Sequence, residues 1–148
     1  FQVIWQTGKY YEREMDEFMR GRDARGIWRG AFIERMDLAY AAADVVVARS
    51  GAGTVSELCL VGKAVVFVPS PNVAEDHQTK NAMALADRGA ALVVPDREAV
   101  ARVFSEVGRL LADDAVRSEM EKNIRALAVA DSADRVADEI LKVVKRSE

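Results

Sequence analysis

The chain has 148 residues, half of them hydrophobic and 30% charged, with a formal net charge of −3. That length and balance suit one globular domain with a real core, and the acidic surplus argues against nucleic acid as a partner. One cysteine and one histidine leave no material for an internal disulfide or a Cys/His metal centre, and no apolar stretch is long enough to span a bilayer.

"FQVIWQTG" reads as a strand ending in a turn. It starts on Phe1 without an initiator Met, so the chain is expected to be a piece of a longer one. "KYYEREMDEFMRG" reads as a helix closed by Gly21, "GIWRGAFI" as a short strand, and "MDLAYAAA" as a helix capped by the polar residues before it. "DVVVARS" is β-branched and continuous rather than alternating, which predicts a buried strand. "TVSELCLVG" reads as a helix ending at Gly62, with Cys59 as a buried, inert thiol. "AVVFVPSP" is a second buried strand, stopped by two prolines. "EDHQTKNAMALADRG" is a helix stopped by Gly89, and "AALVVPD" is the last strand.

The tail is helical. Val100, Val103, Phe104, Val107, Leu110 and Leu111 recur at helical spacing and predict one apolar face. "DAVRSEMEKNIRALA" and "DSADRVADEILKVVKR" follow as two more helices, with Asp and Ser as starting caps. The basic "KVVKR" suits a helix C-terminus better than a contact with an acidic surface.

Strands alternating with helices imply right-handed crossovers and a parallel sheet, an α/β Rossmann-like domain. Ligands of such sheets sit beyond the C-terminal strand ends. Three loops leave strands there: "RGAFIERM", "RSGAGT" and "PSPNVAEDHQ".

Each loop has a ligand reading and a purely structural one. In the second, Gly51, Ala52 and Gly53 would let a phosphate approach the exposed N–H groups of a helix start. The same string, "TVSE", fits a capping box with Thr54 as N-cap and Glu57 reaching back to it. Its spacing matches neither named nucleotide fingerprint. Arg49 suits a phosphate or an ion pair equally. In the third loop, Asp76 can cap the helix, and His77 and Gln78 would sit in its first turn. They offer the neutral donors and acceptors that sugar hydroxyls require, but an exposed first-turn histidine needs no ligand. Asn81, four residues after His77, faces the ligand or pins the preceding loop. In the first loop, the backbone of Phe32 and Ile33 could read a base edge, or Phe32, Ile33 and Met36 could simply fill the core. No Ser-His-Asp order, paired acid/base carboxylates or metal motif is present.

Taken in order, the loops resemble a known family. "GAFIERMDLAYAAAD", "ADVVVARSGAGTVSEL", "AVVFVPSPNVAEDHQTKNAMAL" and "RGAALVV" together resemble the C-terminal half of the MurG family. Its members are bacterial UDP-N-acetylglucosamine transferases that make lipid II from lipid I. The match covers nearly the whole chain and is strongest from Ile27 to Pro95.

The resemblance implies a GT-B glycosyltransferase with two Rossmann-like domains facing across a cleft. The C-terminal one binds the UDP-GlcNAc donor, and the N-terminal one binds lipid I at the membrane. Carried over by position, Ile33 would contact uracil through its backbone and Met36 would line the same pocket. Ala52, Gly53 and Thr54 would bring helix N–H groups to the diphosphate, and Glu57 would accept from the ribose hydroxyls. His77 and Gln78 would contact GlcNAc or the neighbouring ribose, with Arg49 and Asn81 in support. The family often has two glutamines where this chain has His77 and Gln78.

The family's glycine-rich loop that opens the donor domain is expected to precede Phe1, as is the acceptor domain with its proposed general base. Residues 1–148 are therefore expected to be an incomplete donor domain, with a helical tail from about residue 97. The implied reaction inverts the anomeric centre, uses no cofactor and no metal, and takes place at the cytoplasmic face of the bacterial inner membrane. Other UDP-sugar transferases or epimerases of the same fold, a non-catalytic sugar-nucleotide-binding subunit, and an interaction domain with an empty cleft are the competing readings.

Overall fold

The β-branched runs and the glycine-closed helices form an alternating α/β chain in the computed structural model, which describes residues 1–72 and 76–145. The chain divides into two units, Phe1–Ala43 and the remainder from Asp44.

The first unit runs β1 (Val3–Gln6), α1 (Glu12–Met19), β2 (Ile27–Gly30) and α2 (Met36–Ala42). β1 and β2 are parallel, with Val3 opposite Ile27 and Gln6 opposite Gly30. Gly21, beyond the end of α1, has φ +77°, a conformation that L side chains rarely adopt. The expected cap of α2 is absent. Arg35 holds the N-cap position without a side-chain cap, and its guanidinium pairs with Asp37 at 2.6 Å.

The second unit runs β3 (Val45–Ala48), α3 (Ala52–Val61), β4 (Ala64–Phe67), α4 (His77–Ala86) and β5 (Leu92–Val93). A short 3-10 turn and three helices follow: α5 (Ala99–Ala112), α6 (Asp114–Arg125) and α7 (Ser132–Lys145). The strands are parallel in the order β3-β4-β5. Central β4 is wholly buried, as a continuous apolar run predicts. β3 departs from that expectation. It is an edge strand of this three-stranded sheet, and Val47 is 47% exposed.

Ala64, Val66, Val94, Leu110 and Met120 make the core, with Val103 and Val107 of α5 packed against it. A fully buried side chain such as Leu110 contributes about 1.5–3 kcal/mol, which is what seats α5 on the sheet. The predicted apolar face of α5 is narrower than its sequence pattern. Val100 and Phe104 are exposed, while Val103, Val107 and Leu110 carry the packing.

Gly62 ends α3 in the left-handed region and returns its N–H to Leu58 O at 2.8 Å. The Arg125 guanidinium of α6 lies where a Cβ on Gly62 would project. Cys59 is buried, and burial pushes its thiol pKa up, as its apolar setting predicts. Among the described residues no helix is long and apolar enough to cross a membrane.

Candidate functional site

At the exit of β3 the chain passes through Arg49, Ser50 and Gly51 into α3. Gly51 is the N-cap, extended at φ −62° and ψ 149°, with no side chain to bond the helix start. The first return bond runs from Val55 N–H to Gly51 O at 3.0 Å. Ala52, Gly53 and Thr54 are thus the first three residues of the helix, whose N–H groups have no partner within it. Among the described residues, chain neighbours and the helix's own backbone aside, nothing lies within 4 Å of a Cβ built on Gly51 or Gly53, so no described side chain crowds the helix start. Backbone N–H groups and the partial positive charge of a ten-residue helix converge there.

This geometry overturns the capping box. Thr54 is the third residue of α3 rather than its N-cap, because Gly51 already takes the extended conformation that ends the helix. Glu57 therefore does not complete a Thr54 box. It is exposed one turn beyond Gly53, on the same face of the helix.

At the exit of β4 the chain passes Pro69 and Ser70, and α4 begins at His77. Residues 73–75, which include the predicted helix start at Glu75, lie outside the described residues. Asp76 holds the N-cap position at φ +56°, but its side chain makes no cap bond, contrary to the expected role. His77 is exposed and Gln78 half-buried.

The two loops are tied by hydrogen bonds. Gln78 Oε1 accepts from Ser70 N–H at 2.9 Å and from Ser50 N–H at 3.3 Å. Ser50 Oγ donates to the Gln78 carbonyl at 2.8 Å. Asn81 Nδ2 donates to the Ser50 carbonyl at 3.1 Å, so Asn81 pins the neighbouring loop. Arg49 Nη1 donates to the carbonyls of Val68 and Pro69 at 3.0 and 3.2 Å and pairs with Asp96. Of its two sequence readings, the ion pair is the one formed.

Three members of this network were not read from the sequence. Ser50 is fully buried, and its only signal was a small polar residue at the end of an apolar run. Ser70 enters through its backbone, which no side-chain pattern reports. Asp96 closes the string "AALVVPD", which reads only as the last strand.

Ile33 and Met36 belong to the first unit, both half-buried at the approach to α2. The Ile33 N–H donates to Gln6 Oε1 at 2.9 Å. Gln6, at the end of β1, is a fourth residue that sequence reasoning missed. Phe32 is 65% exposed, so it does not fill a core.

Residues 1–136 match the glycosyltransferase family 28 C-terminal domain. The chain is 47% identical over 145 residues to a UDP-N-acetylglucosamine–N-acetylmuramyl-(pentapeptide) pyrophosphoryl-undecaprenol N-acetylglucosamine transferase of Parabacteroides distasonis, covering 98% of this chain and 39% of that protein. A protein of the same name from Bacteroides thetaiotaomicron is 48% identical over 145 residues, covering 97% of this chain and 39% of that protein. The chain thus spans about two fifths of the length of these curated relatives. The crystal structure of Acinetobacter baumannii MurG superposes with a TM-score of 0.82 at 33% identity, covering 96% of this chain and 41% of that one. The glycosyltransferase VinC, solved with dTDP, superposes with a TM-score of 0.69 at 21% identity, covering 98% of this chain and 34% of that one, a likeness of fold alone. The architecture is that of the C-terminal half of a GT-B glycosyltransferase.

Proposed function

The chain belongs to the glycosyltransferase family 28 C-terminal domain family, and from that premise we propose that it is the UDP-GlcNAc-binding part of a MurG-type enzyme. The parent enzyme transfers GlcNAc from UDP-GlcNAc to the MurNAc C4 hydroxyl of lipid I and so makes lipid II for peptidoglycan. One observation carries this reading. The start of α3 bears no side chain at Gly51 or Gly53, is not crowded there by any described residue, and is tied to the start of α4 through Ser50 and Gln78.

Each residue then has a task. The N–H groups of Ala52, Gly53 and Thr54 receive the diphosphate. Glu57 accepts from the ribose hydroxyls, which fits its position one turn along the face of Gly53. His77 and Gln78 meet the sugar. Ile33 and Met36 serve the uracil, and there the base has to take the place of Gln6 at the Ile33 N–H or use the Ile33 carbonyl. Arg49 and Asn81 act from behind, holding the loops.

In the reaction the C4 oxygen of the acceptor attacks C1 of GlcNAc from the face opposite UDP. The bond from C1 to the diphosphate oxygen breaks and its electron pair leaves with UDP. A base outside this chain accepts the hydroxyl proton. Charge grows on the diphosphate as the bond breaks, and N–H groups fixed at a helix start stabilise it without rearranging. The lipid acceptor puts the parent at the cytoplasmic face of the inner membrane as a peripheral protein.

The test is a transferase assay on the full-length parent with UDP-GlcNAc and a lipid I analogue, with UDP-GalNAc and UDP-glucose as competitors. GlcNAc transfer with inversion is expected, and an enzyme that inverts C2 of the free sugar nucleotide instead is an epimerase. The 148-residue chain alone is expected to give no transfer, since it spans about two fifths of the length of its curated relatives.

A further inference from the structure

We propose that Ser50 is a positioning residue that fixes the Gln78 carboxamide so that it meets the ligand only as a hydrogen-bond donor. This rests on the donor-site reading above, which gives Ser50 no ligand contact of its own.

Both groups facing the Gln78 side-chain oxygen are backbone N–H groups, those of Ser50 and Ser70. A carboxamide NH2 turned toward them would set donor against donor, so the oxygen has to face inward. Two N–H donors occupy that oxygen. The NH2 end is left, and among the described residues it has no partner. Gln78 therefore offers the ligand two N–H donors and no acceptor.

Ser50 holds this arrangement from several sides. Its N–H binds the Gln78 side chain, its hydroxyl binds the Gln78 carbonyl at 2.8 Å, and its own carbonyl is held by Asn81. It is fully buried, which excludes water from competing for these bonds. The hydroxyl also couples the first turn of α4 to the residue just before the N-cap of α3. The helix start that receives the diphosphate and the side chain that meets the sugar are thereby fixed to one another. A donor-only contact selects a sugar hydroxyl oxygen with a free lone pair.

The experiment is calorimetric titration of the full-length parent with UDP-GlcNAc and, separately, UDP, for wild type, Ser50→Ala, Gln78→Ala and the double variant. Ser50→Ala is expected to weaken UDP-GlcNAc binding about threefold to tenfold, the effect of one lost hydrogen bond, and to leave UDP within about twofold. In the Gln78→Ala background the same substitution is expected to change UDP-GlcNAc affinity by less than about twofold, because Ser50 acts through Gln78. Additive effects, or equal losses for UDP and UDP-GlcNAc, overturn the inference. Gln78→Glu supplies an independent arm. It keeps an oxygen for Ser50 and Ser70 but removes the donor, so UDP-GlcNAc affinity is expected to fall at least as far as in Gln78→Ala while the melting temperature stays nearer wild type. Retained UDP-GlcNAc affinity in Gln78→Glu also overturns the inference. A wild type that binds UDP but shows no preference among sugar nucleotides removes the donor reading and this inference with it; a wild type that selects UDP-GlcNAc alongside additive variants removes this inference alone.

Discussion

The starts of α3 and α6 are built in opposite ways. At α6, Asp113 takes the N-cap position and its carboxylate accepts the N–H groups of Ala115 and Val116, both at 3.1 Å. Asp114 adds a second acid in the first turn. That helix satisfies its own dipole and N–H groups and has nothing left for an anion. At α3 the N-cap is a glycine, the first turn holds no acid, and among the described residues no side chain crowds Gly51 or Gly53. A missing cap is not sufficient by itself. α1 and α2 also lack side-chain caps, but they carry Glu12, Glu14 and Asp37 in their first turns, which repel an anion. α4 and α5 likewise lack a side-chain cap and a first-turn acid, but Asp76 and Glu98 hold their N-cap positions, so what sets α3 apart from these four helices is a glycine there, with neither a carboxylate nor a side chain at the helix start.

The largest effect is expected from converting one start into the other. Gly51→Asp places a carboxylate where Asp113 stands in α6. Gly51 already has extended N-cap dihedrals and open space around its Cβ direction, so the change fits the backbone. Stability is expected to stay level or rise by a few tenths of a kcal/mol, roughly the gain of Asp over Gly at an N-cap. UDP and UDP-GlcNAc affinity is expected to drop about 100-fold, because the new charge faces the diphosphate at short range. Titration together with a melting curve checks both. Unchanged UDP affinity would show that the anion does not sit at the start of α3.

Changing the other end of α3 separates fold from ligand. Gly62→Ala forces a Cβ into the left-handed region and against the Arg125 guanidinium. A loss of about 1–3 kcal/mol in chemical denaturation is expected, from backbone strain plus displacement of Arg125. UDP affinity of the folded fraction is expected to stay within about twofold, since the two ends are more than two turns apart. A stable Gly62→Ala protein would mean that Arg125 yields at little expense.

Glu57→Ala sharpens the same contrast from within the helix. With the capping box excluded, Glu57→Ala does not remove an N-cap, and the melting temperature is expected to fall by less than about 2 °C, roughly half a kcal/mol for a chain of this length. Loss of the ribose contact is expected to weaken UDP at least about tenfold, a hydrogen bond to a charged acceptor being worth about 1.5–3 kcal/mol. If Glu57→Ala binds UDP as well as wild type, the ribose is held elsewhere.

The strands, the helices and the loop order were legible in the sequence because they depend on local pattern. "AVVF" is buried as its continuous β-branched run requires, and Gly62 and Gly89 take the positive φ their positions at helix ends suggested. What was not legible depends on partners distant in the chain. "TVSE" satisfies the string of a capping box, but the helix begins at Ala52, before Thr54, so the string has no cap to build. Val47 is exposed because β3 lies at one edge of its three-stranded sheet, and strand order is not written in the strand itself. Ser50 and Gln78 are 28 positions apart, and neither residue alone signals the bond between them. Arg49 was open between phosphate and carboxylate until Asp96, 47 positions later, proved to be its partner.

The smallest effect is expected from Asp113→Ala, which removes the cap that α6 has and α3 lacks. Two N–H bonds to an exposed carboxylate are lost, and a loss of about 1 kcal/mol is expected, the ordinary value for an N-cap aspartate. The loss should be visible beyond α6, because Met120 and Ile124 of that helix are buried and Arg125 braces Gly62 at the end of α3. Hydrogen exchange at the first turn of α6 is expected to rise more than exchange at β4, since fraying of one helix end is easier than opening the core. UDP affinity is expected to stay within about twofold of wild type, since no ligand role is assigned to α6. A drop in UDP affinity matching that of Gly51→Asp would show that the two helix starts are not independent, and that the open start of α3 depends on the capped start of α6.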